Sequence, residues 1–466
     1  MHLETAYIPN GTGDRKRWGK ITTTSLACAI ADNFLKSQEK NESSFWLIVA
    51  PNTSDAYRLY SELPFFMPEH AEQISLFPDW EILPYDSFSP HEDIISERLS
   101  TLSKLPTQKE GILIVAMTTL CHKLSPSSFI SANSLELAVG DIVEPESLRH
   151  KFSKAGYRNV DNVYEHGEFA IRGSILDVFP MGMNTPVRLE FFDNEIETLR
   201  FFDPESQRSG ETLQDIKLLP GREFPLTDSS IRTFKAQWLE EFGKPPSPCQ
   251  IYDDIDNGLV PGGIEYYIPL FFDETSSLID YIPEHSKVVM PVNFNELLNQ
   301  FYKDTEKRYD DYNIDRRRPL LPPSKILLRE HELNEQIADF PAAQFTQDEI
   351  EEKAGRINFS TSAQSKLEVN YKAAQPWQAL LDFVTPRIQS GFKVVLMSES
   401  PGRREFLNEK LRPIFKKHNI GEIKVLDGWP DVQTADYTIA IMVGPLVHGL
   451  SLDQDKICVI CEHQLF

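Results

Sequence analysis

The sequence predicts an α/β protein: a parallel-sheet domain, a small α+β domain inserted into it, and a small C-terminal α/β domain. Three observations lead there. Short apolar runs, FWLIVA at 45–50 and GILIVA at 111–116, alternate with stretches of helical apolar spacing. Residues 131–221 then change to short β-branched and aromatic strands around one amphipathic helix. From about residue 365 the alternation of strand and helix resumes, with strands near 393–398, 437–442 and 457–461. The expected boundaries are 1–130, 131–221, 222–343, a charged and aperiodic linker at 344–364, and 365–466.

In chain order, the first informative stretch is GDRKRWGKITTTSLACAIADNF, 13–34. It has the outline of a phosphate-binding loop, but the chemistry fails. Such a loop needs G-x-x-x-x-G-K-[ST], with backbone N–H groups turned to the phosphates and a hydroxyl on Mg²⁺. Here Gly19-Lys20 is followed by Ile21, and Asp14 stands where the first glycine belongs. No glycine occurs in Ile21-Thr22-Thr23-Thr24-Ser25, and β-branched residues resist positive φ. An ordinary strand–loop–helix with a hydroxyl cap is expected. Next come a helix over 55–63, a Pro- and aromatic-rich ordered loop, and a helix from about His91 that gathers Ile94, Ile95, Leu99 and Leu102 on one face.

The middle unit reads as strands in SLELAVGDIV, FAIRGSILDVF, VRLEFFDNEIETLRFFD and IKLLPG, with a helix over 144–155. Asp193-Asn194 has the residue types of a type I′ hairpin turn. Alternation sends Val187, Leu189 and Phe191 to one face and Arg188, Glu190 and Phe192 to the other. An aromatic beside charges on the wet face is costly unless something covers it, and Arg and aromatics are enriched in interface hot spots. In the preceding segment, read as one strand in which Gly173 permits a bulge or a close backbone approach, Arg172 can reach the same face. Further on, 316–323 (RRRPLLPP) reads as an exposed basic segment, and Cys458 to Cys461 as a buried strand in C-x-x-C guise.

Composition sets the class. Over 466 residues the net charge is −23, so there is no overall basic footprint of the kind that nucleic-acid binding leaves, and a protein partner is favoured. Five cysteines fit a reducing cytoplasm better than a disulfide framework. No apolar run is long enough to cross a membrane, so no membrane role is expected. Nothing in the sequence terminates the fold at Phe466, and a piece of a longer protein is expected.

Residues 156–180 (GYRNVDNVYEHGEFAIRGSILDVFP) and 187–206 (VRLEFFDNEIETLRFFDPES) resemble domain 2 of the excision-repair helicase UvrB. They are more similar still to the UvrB-like N-terminal module of the transcription-repair coupling factor family. DWEILPYDSFSPHEDIISERLSTL resembles that family's first domain, and PGGIEYYIPLFF and RRRPLLPP resemble later parts of the same module.

The resemblance implies a RecA-like first domain with a degenerate nucleotide site. ITTTSLACAI stands where UvrB has its P-loop, and KVVMPVNFNE, 287–296, replaces the DExH box without its acidic pair. The long DNA-threading hairpin of UvrB is reduced to 85–90. No catalytic residue, cofactor or metal is therefore expected in this chain. The resemblance also implies a docking site for UvrA at Arg172, Arg188 and Phe192. Further domains of such a protein would contact stalled RNA polymerase and duplex DNA, hydrolyse ATP with Mg²⁺, and mask the UvrA face through a C-terminal domain. A non-catalytic adaptor is the resulting expectation. The alternatives are a nucleotide-hydrolysing helicase-like fragment and a DNA-binding scaffold.

Overall fold

The computed structural model describes residues 8–39, 44–362, 367–369, 372 and 375–466. Its first sheet has seven strands, all parallel, in the spatial order Arg356–Asn358, Arg15–Gly19, Ala342–Phe345, Lys287–Pro291, Phe45–Ala50, Gly111–Ala116 and Ile74–Phe77. FWLIVA and GILIVA are buried at every position, because helices cover both faces of a parallel sheet. One covering helix, Thr53–Phe66, begins where the Asn52 side chain accepts the Asp55 N–H. Another, Glu92–Lys104, buries Ile95, Leu99 and Leu102 as the spacing requires, and also Ser96 and Arg98.

One expectation changes here. The charged strand Arg15–Gly19, the strand of the expected strand–loop–helix, lies between two partners that arrive more than 300 residues later. Those partners fall partly within 344–364, so the stretch expected to be a linker supplies the end of one strand and all of another. Its polar residues carry no period because Arg356–Asn358 is a half-buried edge strand.

The inserted sheet has six strands, in the order Ser209–Leu213, Glu195–Phe202, Val187–Phe192, Ile175–Val178, Glu168–Arg172 and Arg158–Asn159. All pairs are antiparallel except the last. Helix Pro145–Ala155 buries Leu148 and Phe152 on its inner side, with the Phe152 ring 5.3 Å from that of Phe169. Leu135–Ala138 pairs with Asp215–Leu218 as a separate two-stranded ribbon, so the insert leaves close to where it enters.

FAIRGSILDVF is a hairpin and not one bulged strand. Arg172 pairs with Ile175 across Gly173-Ser174, and Gly173 has φ 62°. The bulges lie instead in Glu195–Phe202. At Asp193-Asn194 only Asp193 takes a positive φ, 53°, so the turn is not the I′ form.

The third sheet runs Ile423–Val425, Ile439–Val443, Lys393–Ser398, Ile457–Cys461 and Leu450–Leu452, with the last strand antiparallel to its neighbour. Cys458 and Cys461 lie in its buried strand. One face of this sheet shares an apolar core with one face of the first sheet. Trp429 sets its ring 4.8 Å from Phe66 and 5.8 Å from Phe65. Gly444 is glycine for room: a Cβ there would lie 2.8 Å from the Met397 sulfur and 3.0 Å from Phe65. The basic segment after 315 is exposed only at Arg316 and Arg317, since Leu320 and Leu321 plug the core. Among the described residues no helix is long and apolar enough to cross a membrane.

Candidate protein-docking face

Two places merit scrutiny: the carboxyl ends of the parallel strands, where α/β sheets bind ligands, and the outer face of the inserted sheet.

A cavity of about 700 Å³ opens at the first place, lined by Ile21, Thr22, Pro51, Arg58, Asn293 and Asp348 among others. The Gly19-Lys20 loop borders it but is not shaped as a phosphate cradle. Gly19 is glycine because a Cβ would collide with Asn358 Oδ1 and Ile350. Lys20 turns its ammonium to Glu349 at 3.0 Å, and Ile21 is buried in the core. The guanidinium in the wall, Arg58, is already held by Asp55 at 3.1 Å and Glu62 at 2.8 Å. Asp55, Glu296 and Asp348 also line the space, so its charge opposes a polyphosphate. The 287–296 segment forms one wall through Pro291, Val292, Asn293 and Glu296, and 85–90 is a short loop whose Tyr85 hydroxyl donates to Leu321 O at 2.9 Å.

Glu62 gives this end of the domain a pH dependence. Its burial pushes the carboxyl up to about 7, and the charge of Arg58 only partly offsets that. An unfolded chain releases the proton near the ordinary 4.5. The group's contribution to stability is therefore complete below about 4.5 and is lost as pH rises to about 7, a span worth roughly 3 kcal/mol. In thermal melts from pH 4.5 to 8, Glu62→Gln is expected to gain on wild type progressively up to pH 7. A constant difference would refute the assignment.

On the inserted sheet, Val187, Leu189 and Phe191 are buried and Phe192 is 68% exposed, as alternation requires. The register places Arg188 beside Asp177 and Ala170, and Glu190 beside Ile175 and Arg172. Opposite residues of an antiparallel pair project to the same side. Arg172, Arg188 and Phe192 are thus on one face, but they are not equally available.

The reason is Asp177, which the sequence reading missed. Its carboxylate is buried and takes both arginines. Arg188 Nε donates to Oδ1 at 2.7 Å and Nη2 to Oδ2 at 3.0 Å, while Arg172 Nη2 forms a short ion pair with Oδ2. Arg188 also donates to Gln207 O at 3.2 Å and Ser209 Oγ at 3.3 Å, and lies 4.8 Å over the Phe202 ring. Its side chain is only 13% exposed, and the bound carboxylate raises its pKa further. Arg172, steadied by Asn162 Oδ1 at 2.8 Å, keeps 45% of its side chain exposed. The face thus offers an accessible guanidinium at Arg172 and an aromatic at Phe192, with Arg188 as an internal brace. An Asp between the core residues Leu176 and Val178 was the signal for Asp177, but its burial depends on both arginines reaching it.

The same stretch is matched in comparisons with known proteins. A family model described as "UvrB interaction domain" matches residues 135–224, and one described as "MFD, D3 domain" matches 389–465. The transcription-repair-coupling factor of Escherichia coli is 37% identical over 459 residues, 98% of this chain and 38% of the relative. That of Haemophilus influenzae is 35% identical over 474 residues, covering 99% and 39%. That of Staphylococcus haemolyticus is 21% identical over 472 residues, covering 96% and 38%. The chain thus spans about two fifths of the length of the curated relatives it matches. On its sequence and its matched domains, the chain belongs to the transcription-repair-coupling factor family and corresponds to its N-terminal part.

Proposed function

We propose that this chain is a non-catalytic adaptor that recruits the nucleotide-excision-repair protein UvrA to sites of stalled RNA polymerase. The observation that carries the reading is the exposed Phe192 on the same face as Arg172, inside the stretch that matches the UvrB interaction domain. Arg172 meets a carboxylate of UvrA in a charge-assisted hydrogen bond, and Phe192 buries apolar area next to it. Arg188 contributes by fixing Asp177 and hence Arg172. The chain itself hydrolyses no nucleotide and needs no cofactor. A wall of carboxylates where phosphates would sit and a spent Arg58 support that part of the reading.

In the longer protein of which this chain would be part, the RNA polymerase contact, the ATP- and Mg²⁺-dependent translocation on duplex DNA and a C-terminal cover for the UvrA face belong to further domains. The protein works in the cytoplasm. Isothermal titration of the chain with purified UvrA tests the site. Phe192→Ala is expected to weaken binding at least about tenfold, or ~1.4 kcal/mol, with an unchanged circular dichroism spectrum. Wild-type affinity in that variant would move the site elsewhere.

A further inference from the structure

Phe192 does not stand alone at the tip of the inserted sheet. Across its turn it pairs with Glu195, and on the far side of Glu195 lies Ile142, joined by an isolated antiparallel bridge. Three backbone hydrogen bonds hold the segment there: Gly140 N–H to Ile196 O at 2.8 Å, Ile196 N–H to Asp141 O at 2.9 Å, and Val143 N–H to Asn194 O at 2.7 Å. Directly opposite residues share a side of the sheet, so Ile142, Glu195 and Phe192 form one row. Two strand spacings separate its ends, about 10 Å.

Ile142 is 81% exposed, the most exposed large apolar side chain among the described residues. A single exposed apolar residue needs no explanation, but two in one row do. Between them, the Glu195 carboxylate is exposed and has no hydrogen-bond or ion-pair partner among the described residues. The backbone bonds fix the row in advance, so little ordering entropy opposes its use.

We infer that the row Ile142–Glu195–Phe192 is a single docking ridge, with Ile142 as a second apolar anchor. Its occupant is the same UvrA surface invoked above, on whose docking at Phe192 this inference rests. That surface presents an apolar groove spanning both ends of the ridge, a cationic side chain opposite Glu195, and a carboxylate opposite Arg172. The ridge lies within the residues that match the UvrB interaction domain and is continuous with Phe192.

Titration of the chain with purified UvrA, comparing wild type with Phe192→Ala, Ile142→Ala and Glu195→Lys, tests it. Ile142→Ala is expected to raise Kd at least about fivefold with an unchanged melting temperature, because so exposed a side chain contributes little to the fold. Glu195→Lys is expected to raise Kd at least about tenfold, with the gap from wild type narrowing at high salt. If Phe192→Ala weakens binding while Ile142→Ala and Glu195→Lys bind as wild type, the ridge is wrong and the Phe192 site survives. If wild type does not bind UvrA, or Phe192→Ala binds as tightly, both fall together.

Discussion

Arg98→Ala is expected to cost about 3–5 kcal/mol in urea unfolding, the range for breaking one side of a buried ion pair. Arg98 is buried in helix Glu92–Lys104, with its guanidinium 4.3 Å over the Phe77 ring and 4.8 Å over that of Trp80. Its Nε donates to Glu223 Oε1 at 2.8 Å and its Nη1 to Pro78 O at 2.7 Å. Trp80 Nε1 donates to the other Glu223 oxygen at 2.8 Å. Removing the guanidinium leaves a buried carboxylate with one indole N–H and opens a cavity between two aromatic rings.

The pair also joins the first unit to the segment that leaves the insert. Nearby, Gly182 N–H donates to Ser96 Oγ at 2.8 Å and the His166 ring contacts Asp93 at 2.6 Å. Arg98→Met combined with Glu223→Leu should cost much less than the two single changes together, because no charge is stranded. Additive losses in the double variant would refute the account.

Trp429→Ala is expected to remove about 3–5 kcal/mol from the seam between the third sheet and the first, the usual cost of emptying a buried tryptophan site. Trp429 is buried against Phe65 and Phe66 at the end of helix Thr53–Phe66. Polar ties at the seam include the Thr24 hydroxyl, which donates to His448 O at 3.2 Å, and the Thr361 hydroxyl, which makes a short bond to Lys20 O. In calorimetry the variant should show a separate, lower-temperature transition for the third unit. A single transition at the wild-type temperature would mean that other contacts carry the seam.

Much of this architecture is legible along the chain. Apolar runs at 45–50 and 111–116 mark interior strands because covered parallel strands leave no polar face. Strict alternation in VRLEFF separates Phe191 from Phe192 because the strand period is two. Asp14 and Ile21 exclude a phosphate loop by chemistry alone. Where the reading fell short, the decisive partner was far away. RKRWG is the expected strand before the Gly19-Lys20 loop, but its place in the sheet is set by two strands that arrive more than 300 residues later. SLELAVGDIV reads as one strand, yet that strand ends at Ala138, and Ile142 bridges instead to Glu195 of the inserted sheet.

The sequence by itself determined the order of sheets, the faces of their strands and the residue types displayed on the outer face of the insert. These follow from periodicity and turn chemistry, which act over a few residues. Tertiary structure decided which displayed residues are available. Asp177 draws in Arg188, leaves Arg172 half exposed, and is buried only because both arginines converge on it. Likewise Glu195 lies between Phe192 and Ile142 only because 140–143 closes on that strand. Such pairings balance desolvation against contacts between remote parts of the chain, so they exist only once the fold has brought those parts together.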